Sequence, residues 1–85
     1  IDCSHANSGK DHVRQAEVAT EIATRLRAAR EAGEPSNVSG VMLESFLEPG
    51  AQSTEATPLV YGKSVTDKCM GWEASAQVLA ALARG

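Results

Sequence analysis

Three residues in this chain have the side chains needed to hold a divalent metal: His5, Glu44 and Asp67. One neutral imidazole and two carboxylates make a borderline-hard nitrogen and oxygen donor set, suited to Mn²⁺, Fe²⁺, Co²⁺ or Zn²⁺. Three protein ligands also leave coordination positions open for substrate or water. The three are far apart in sequence, so only a fold that delivers each to one rim can join them. Glu44 stands out because it ends the apolar run Gly40-Val41-Met42-Leu43-Glu44-Ser45. A carboxylate there must be paired, hydrogen-bonded or bound to a cation, since an isolated buried charge is heavily penalised. Each residue also has a plainer role open to it. His5 can bond to backbone at a strand end, Glu44 can pair with Lys63 or an arginine, and Asp67 can cap a helix.

The elements that must position these residues follow from local pattern. A short apolar run bounded by turn formers predicts a strand over residues 37–45, buried on both faces as in a parallel sheet covered by helices. Its carboxyl end is where α/β enzymes keep their chemistry. Ile1 to His5 reads as a strand remnant with His5 at its carboxyl end. Ser8 and Asp11 then resemble a capping box. Periodicity predicts a helix over residues 11–32, with Val18, Ile22, Leu26 and Ala29 on one stripe and Ala19 and Ala23 beside it. Glu21 and Arg25 pair in the favourable order, and Gly33 and Pro35 end the helix. Residues 46–58 form a polar loop, and residues 59–67 a short strand broken at Gly62 and ending near Asp67. A second helix over residues 72–84 buries Val78, Leu79 and Leu82, and Arg84-Gly85 closes it. The order β-α-β-loop-β-α is that of an α/β protein.

Composition narrows the classes. With 85 residues there is one domain at most, about a third of an eight-stranded α/β barrel. The chain opens as if in mid-strand, and the expectation is a fragment of a longer protein. A net charge of -3 and scattered basic residues argue against a nucleic-acid surface. No run is long enough to span a membrane and no charged-then-apolar leader precedes the first strand, so the expectation is a soluble, cytoplasmic protein. Cys3 and Cys69 make neither a disulfide framework nor a zinc motif and suit a reducing compartment as inert thiols. Gly62-Lys63-Ser64 lacks the earlier glycine of a phosphate loop. Ser4 and His5, as strand neighbours, point to opposite faces and make no nucleophile pair. His12, on the first helical turn, is expected to be solvated.

Three strings carry a resemblance: Ile1-Asp2-Cys3-Ser4-His5-Ala6-Asn7-Ser8, then Gly40 to Ser45, then Tyr61-Gly62-Lys63-Ser64-Val65-Thr66-Asp67-Lys68-Cys69-Met70-Gly71-Trp72-Glu73. In order and spacing they resemble the C-terminal part of the microbial DAHP synthases (class I), also called phospho-2-dehydro-3-deoxyheptonate aldolases. The resemblance implies that residues 1–85 are the C-terminal portion of a single (β/α)8 TIM barrel, incomplete on its own. It implies condensation of phosphoenolpyruvate with erythrose 4-phosphate, the entry step of the shikimate pathway to aromatic amino acids. It also implies a divalent metal bound by His5, Glu44 and Asp67 with a cysteine from an earlier barrel segment. His5 and Asp67 would orient metal and water. The basic residues that grip the substrate phosphates lie outside this chain, so the 85 residues alone are expected to be inactive, to bind metal weakly or not at all, and to self-associate through uncovered edges. Two other readings compete. One is a non-catalytic α/β piece that docks on a partner, which would leave the three residues apart. The other is the related 3-deoxy-octulosonate 8-phosphate synthase, which Gly62-Lys63-Ser64 and Cys69-Met70-Gly71-Trp72 fit less well.

Overall fold

A computed structural model describes residues 1–85, in which three helices form: α1 (His5–Ser8), α2 (His12–Glu31) and α3 (Trp72–Arg84). The start of α2 is set by Asp11. Its backbone is extended, and its carboxylate Oδ1 accepts from the N–H groups of Val13 at 2.8 Å and Arg14 at 3.4 Å. This corrects the capping box expected from Ser8. Ser8 lies inside α1 instead, where its hydroxyl donates to the Ser4 carbonyl at 2.7 Å. The helix ends one residue before the expected limit and hands over to Gly33 at φ 69°. The Glu21–Arg25 pair forms as expected, at 2.9 Å, on an exposed face where it contributes little.

Gln15, Ala19, Ile22 and Ala23 form the buried face of α2, while Val18 and Leu26 pack at its edge. The buried stripe is therefore centred on small residues, which lets α3 lie close. α3 has the expected boundaries. It buries Ser75 and Val78 and rests Leu82 against the core, but Leu79 is 54% exposed, contrary to expectation. Nothing in this chain covers that flank. The core itself is small: Cys3, Ala19, Ile22, Met70 and Val78, flanked by partly buried groups such as Val41 and Leu43.

No continuous strand forms, which corrects the strands expected over residues 37–45 and 59–67. Extended segments meet at single bridges, parallel at Asp2 with Met42 and at Ser45 with Met70. The segment around Met42 to Ser45 thus lies between the first residues and those entering α3. That order matches the expected succession of extended and helical segments. It is not buried on both faces, since Met42 is 41% exposed. The failure over residues 59–67 has a specific cause. Gln52 accepts from the Val60 N–H at 2.8 Å and donates to the Val60 carbonyl at 2.8 Å and the Lys63 carbonyl at 2.9 Å. A side chain has taken the backbone groups that a neighbouring strand would need. Asp67 accordingly sits in a bend before the bridge residues Cys69 and Met70, and not at a strand's carboxyl end.

Two glycines allow close approaches in this region. A Cβ at Gly62, where φ is 78°, would meet the Leu47 side chain at 2.9 Å, and one at Gly71 would meet Pro49 at 2.9 Å. The molecule is elongated, with a radius of gyration of 14.6 Å. A compact chain of this length would give about 12 Å. No helix is long and apolar enough to cross a membrane.

Two outcomes follow for stability. Val78→Ala removes two buried methyl groups from the core and is expected to cost about 2 kcal/mol, read as a lower urea midpoint at unchanged slope. Asp11→Ala is expected to shorten α2 from its N-terminus, and Asp11→Ser to restore it, as read by circular dichroism. The two backbone N–H groups hold the Asp11 carboxyl below its ordinary value. The cap therefore helps above the unfolded carboxyl's pKa and is lost as pH falls through the depressed value.

Candidate metal centre

His5, Glu44 and Asp67 meet at one point. His5 Nε2 lies 3.3 Å from Glu44 Oε1 and 3.3 Å from Asp67 Oδ2, and the three donor atoms all fall within 4.8 Å of one another. Ligand bonds of about 2.1 Å place neighbouring donors roughly 3.0 Å apart in an octahedron and 3.4 Å in a tetrahedron, so the two His5 separations suit neighbouring ligands of one cation. His5 opens α1, directly after the first extended segment. Glu44 comes from the central one and Asp67 from the bend before the third. The three side chains are 25–45% exposed, which leaves one side of the cluster open to solvent.

The plainer roles are not taken up. His5 bonds no backbone carbonyl through its ring; its Nδ1 lies 2.8 Å from Asp2 Oδ2. Neither Lys63 nor any arginine pairs with Glu44. Asp67 caps no helix, because α3 starts from Gly71. Neither Cys3 nor Cys69 joins the cluster, and burial pushes the Cys3 thiol up.

Three supporting residues escaped the sequence reading. Asp2 holds the far side of the imidazole, so that Nδ1 carries the proton and Nε2 offers its lone pair to the cluster. The Asp2 carboxylate also accepts from the Ser4 N–H at 2.8 Å. Its hydrogen bond to His5 is the main cause that holds Asp2 below the usual carboxylate range, and the same bond is the main cause that raises His5. Ser4 is buried, and its hydroxyl donates to Glu44 Oε1. The expectation that Ser4 and His5 point apart is thus corrected: the chain leaves the extended state at Ser4 and enters α1, so both side chains reach the same carboxylate oxygen. Gln15, buried on α2, accepts from the Glu44 N–H at 2.6 Å. The Asp2-x-x-His5 spacing and a glutamine on the buried face of α2 were the available signals. His12, expected to be solvated, is partly buried, and its Nδ1 has no partner.

Comparison with known proteins identifies the family. The family model described as the DAHP synthetase I family matches residues 1–80. The chain is 52% identical to a Trp-sensitive phospho-2-dehydro-3-deoxyheptonate aldolase of Enterobacter agglomerans over 84 residues, covering 98% of this chain and 23% of that protein. It is 48% identical to a phospho-2-dehydro-3-deoxyheptonate aldolase of Corynebacterium glutamicum, over 98% of this chain and 24% of that one. A solved phospho-2-dehydro-3-deoxyheptonate aldolase from Francisella tularensis SCHU S4 superposes with a TM-score of 0.85 at 42% identity, over 98% of this chain and 23% of that chain. The chain thus spans about a quarter of the length of the relatives it matches.

The Asp2–His5 bond has a measurable consequence. In an NMR titration, the His5 midpoint should lie above that of an ordinary histidine, and Asp2→Asn should bring it down. Because folding raises the His5 value, the pair's stabilisation is present below the unfolded histidine's pKa and is lost as pH rises through the raised one. For Asp2, lowered by folding, it is present above the unfolded carboxyl's pKa and lost as pH falls through the depressed one. An unchanged His5 midpoint in Asp2→Asn would contradict the bond.

Proposed function

The chain belongs to the DAHP synthetase I family, and from that premise we propose that it is a segment of a longer synthase whose divalent-metal ligands include His5, Glu44 and Asp67. The whole enzyme condenses phosphoenolpyruvate with erythrose 4-phosphate to give 3-deoxy-D-arabino-heptulosonate 7-phosphate and phosphate. The segment is the C-terminal portion of one (β/α)8 barrel. The observation that carries this reading is the approach of three donor atoms, from three separate parts of the chain, to within 4.8 Å of one another. Had the three side chains lain apart, a non-catalytic docking piece would be the better reading.

In the reaction, C3 of the enol attacks the aldehyde carbon, water adds at C2, and phosphate leaves by C–O cleavage. A divalent cation, Mn²⁺, Fe²⁺, Co²⁺ or Zn²⁺, supplies Lewis acidity toward the aldehyde carbonyl when bound. The chain's own residues prepare for it. Asp2 keeps the proton on His5 Nδ1 and turns the Nε2 lone pair inward. The Ser4 hydroxyl on Glu44 Oε1 fixes the rotamer of that carboxylate without adding a positive charge. The half-exposed Asp67 closes the cluster from the opposite segment and, with His5, orients water at the open side. A single nitrogen and two carboxylates in this chain leave a fourth protein ligand and the phosphate-binding groups to the rest of the barrel. A cytoplasmic setting suits the two free thiols.

The test is an assay of the full-length protein carrying this segment, with both substrates. A chelator should abolish product formation and Mn²⁺ should restore it. Glu44→Ala should lower kcat/KM by about 100-fold or more, since loss of even an outer-shell partner typically costs 10- to 100-fold. Metal affinity should rise with pH through the raised His5 titration, because the protonated ring cannot bind. The isolated 85 residues should show no turnover. Self-association of that isolated chain is part of the same proposal. Its exposed Ile1, Phe46, Leu47 and Trp72 motivate this, and sedimentation should detect species larger than a monomer.

A further inference from the structure

We infer that Gln15 is a positioning residue for the metal centre: it holds the backbone of Glu44 from α2, and through it the carboxylate. This rests on the proposed role of Glu44 as a ligand. Gln15 is 1% exposed and sits on the face of α2 that otherwise buries Ala19, Ile22 and Ala23. An amide at such a position is costly unless both of its ends are bonded. Here only one end is. Oε1 accepts from the Glu44 N–H at 2.6 Å, while Nε2 is buried without a partner. Since the Glu44 group is a donor, the amide orientation is fixed: the oxygen must face Glu44. An aliphatic side chain would fill the same space without the unpartnered nitrogen. What the glutamine alone provides is the bond to Glu44.

That bond ties the ligand to the helix. The Glu44 carbonyl accepts from the Met70 N–H at 3.0 Å, and its Oε1 accepts from the Ser4 hydroxyl. The N–H would otherwise have no partner within the extended segments. With Gln15 in place, Glu44 is held at its amide, its carbonyl and its carboxylate by three different parts of the chain. Gln15 touches no metal ligand atom and acts only by fixing where the carboxylate starts from.

The test uses the full-length protein carrying this segment, with Gln15→Met, which keeps the volume and removes the acceptor, and Gln15→Asn, whose shorter side chain falls short of Glu44. Mn²⁺ affinity is measured by calorimetry and the bound ion by its electron paramagnetic resonance spectrum. Both variants should weaken Mn²⁺ about 10- to 100-fold and alter the spectrum of the bound ion. Val78→Ala, which loosens the same core without removing a hydrogen bond to Glu44, should leave affinity and spectrum unchanged. Affinity within threefold of the unaltered protein in either Gln15 variant that folds overturns the inference. So does an equal loss in Val78→Ala. Glu44→Gln separates this from the underlying reading: Mn²⁺ binding that survives Glu44→Gln overturns the ligand assignment itself. Binding lost in Glu44→Gln but kept in the Gln15 variants overturns only the role of Gln15.

Discussion

The centre depends on carboxylates brought together without a cationic side chain between them. Asp2, Glu44 and Asp67 surround one imidazole, and even with His5 protonated the group carries a formal charge of -2. Partial exposure to water makes this tolerable, since solvent and salt screen the repulsion. The groups that hold the carboxylates are neutral: the Ser4 hydroxyl on Glu44 and the Ser4 N–H on Asp2. A lysine or arginine in their place would relieve the repulsion but would also fill the space between the carboxylates where the proposed cation would sit. Neutral donors fix the geometry and leave the charge uncompensated, which is the condition a cation site requires.

Placing Glu44 and Asp67 within reach of each other falls to a few backbone bonds. Met70 N–H donates to the Glu44 carbonyl at 3.0 Å and Phe46 N–H to the Met70 carbonyl at 2.9 Å. These set the register of the central segment against the third. Gly50 and Cys69 exchange both of their bonds, at 2.8 and 3.1 Å, and anchor the bend that carries Asp67. A slip of one residue would turn Glu44 to the opposite side of the segment, so register matters more here than extended length. The same economy explains the helices. α2 and α3 pack over the segments, and Met70 and Cys3 meet Ile22 and Val78 in one core beneath the site.

α2 and α3 were legible in the sequence because their signals are local, a cap, a 3.6-residue period and a terminal glycine, whereas the single turn of α1 is too short to show a period. The strands were not, because a strand needs partners on its flanks. Here the flanking segments are a few residues long, and Gln52 intercepts the backbone of Val60 and Lys63. Spacing alone left each of His5, Glu44 and Asp67 with an ordinary role. The resemblance in three strings singled them out, and the geometry brings them to one point. The supporting residues were missed for an identifiable reason. Asp2 and Ser4 were read as strand residues, whose alternation would separate them from His5. The chain instead enters α1 immediately after Ser4. Gln15 was passed over because the apolar stripe of α2 was centred on Val18, Ile22, Leu26 and Ala29, with Ala19 and Ala23 only beside it. Drawn through Ala19 and Ile22, it leaves a glutamine among small apolar residues.

The size of the core bears on what a cation does under the proposed reading. Of 85 residues only seven buried ones are hydrophobic, too few for the core alone to order three extended segments well. His5 opens α1 just after the first segment, Glu44 lies in the second and Asp67 in the bend before the third, so one ion bound to all of them would tie these parts together directly. Binding that favours the ordered arrangement stabilises it in proportion to the logarithm of ion concentration over its dissociation constant. The network of Asp2, Ser4 and Gln15 lowers the ordering that the ion must bring about, by holding His5 and Glu44 before it arrives. The bend that carries Asp67 has bonds of its own: the Thr66 N–H donates to the Ser64 hydroxyl at 3.1 Å, and Gly50 and Cys69 exchange backbone bonds two residues along. A cation would then meet three ligands whose backbone is already anchored.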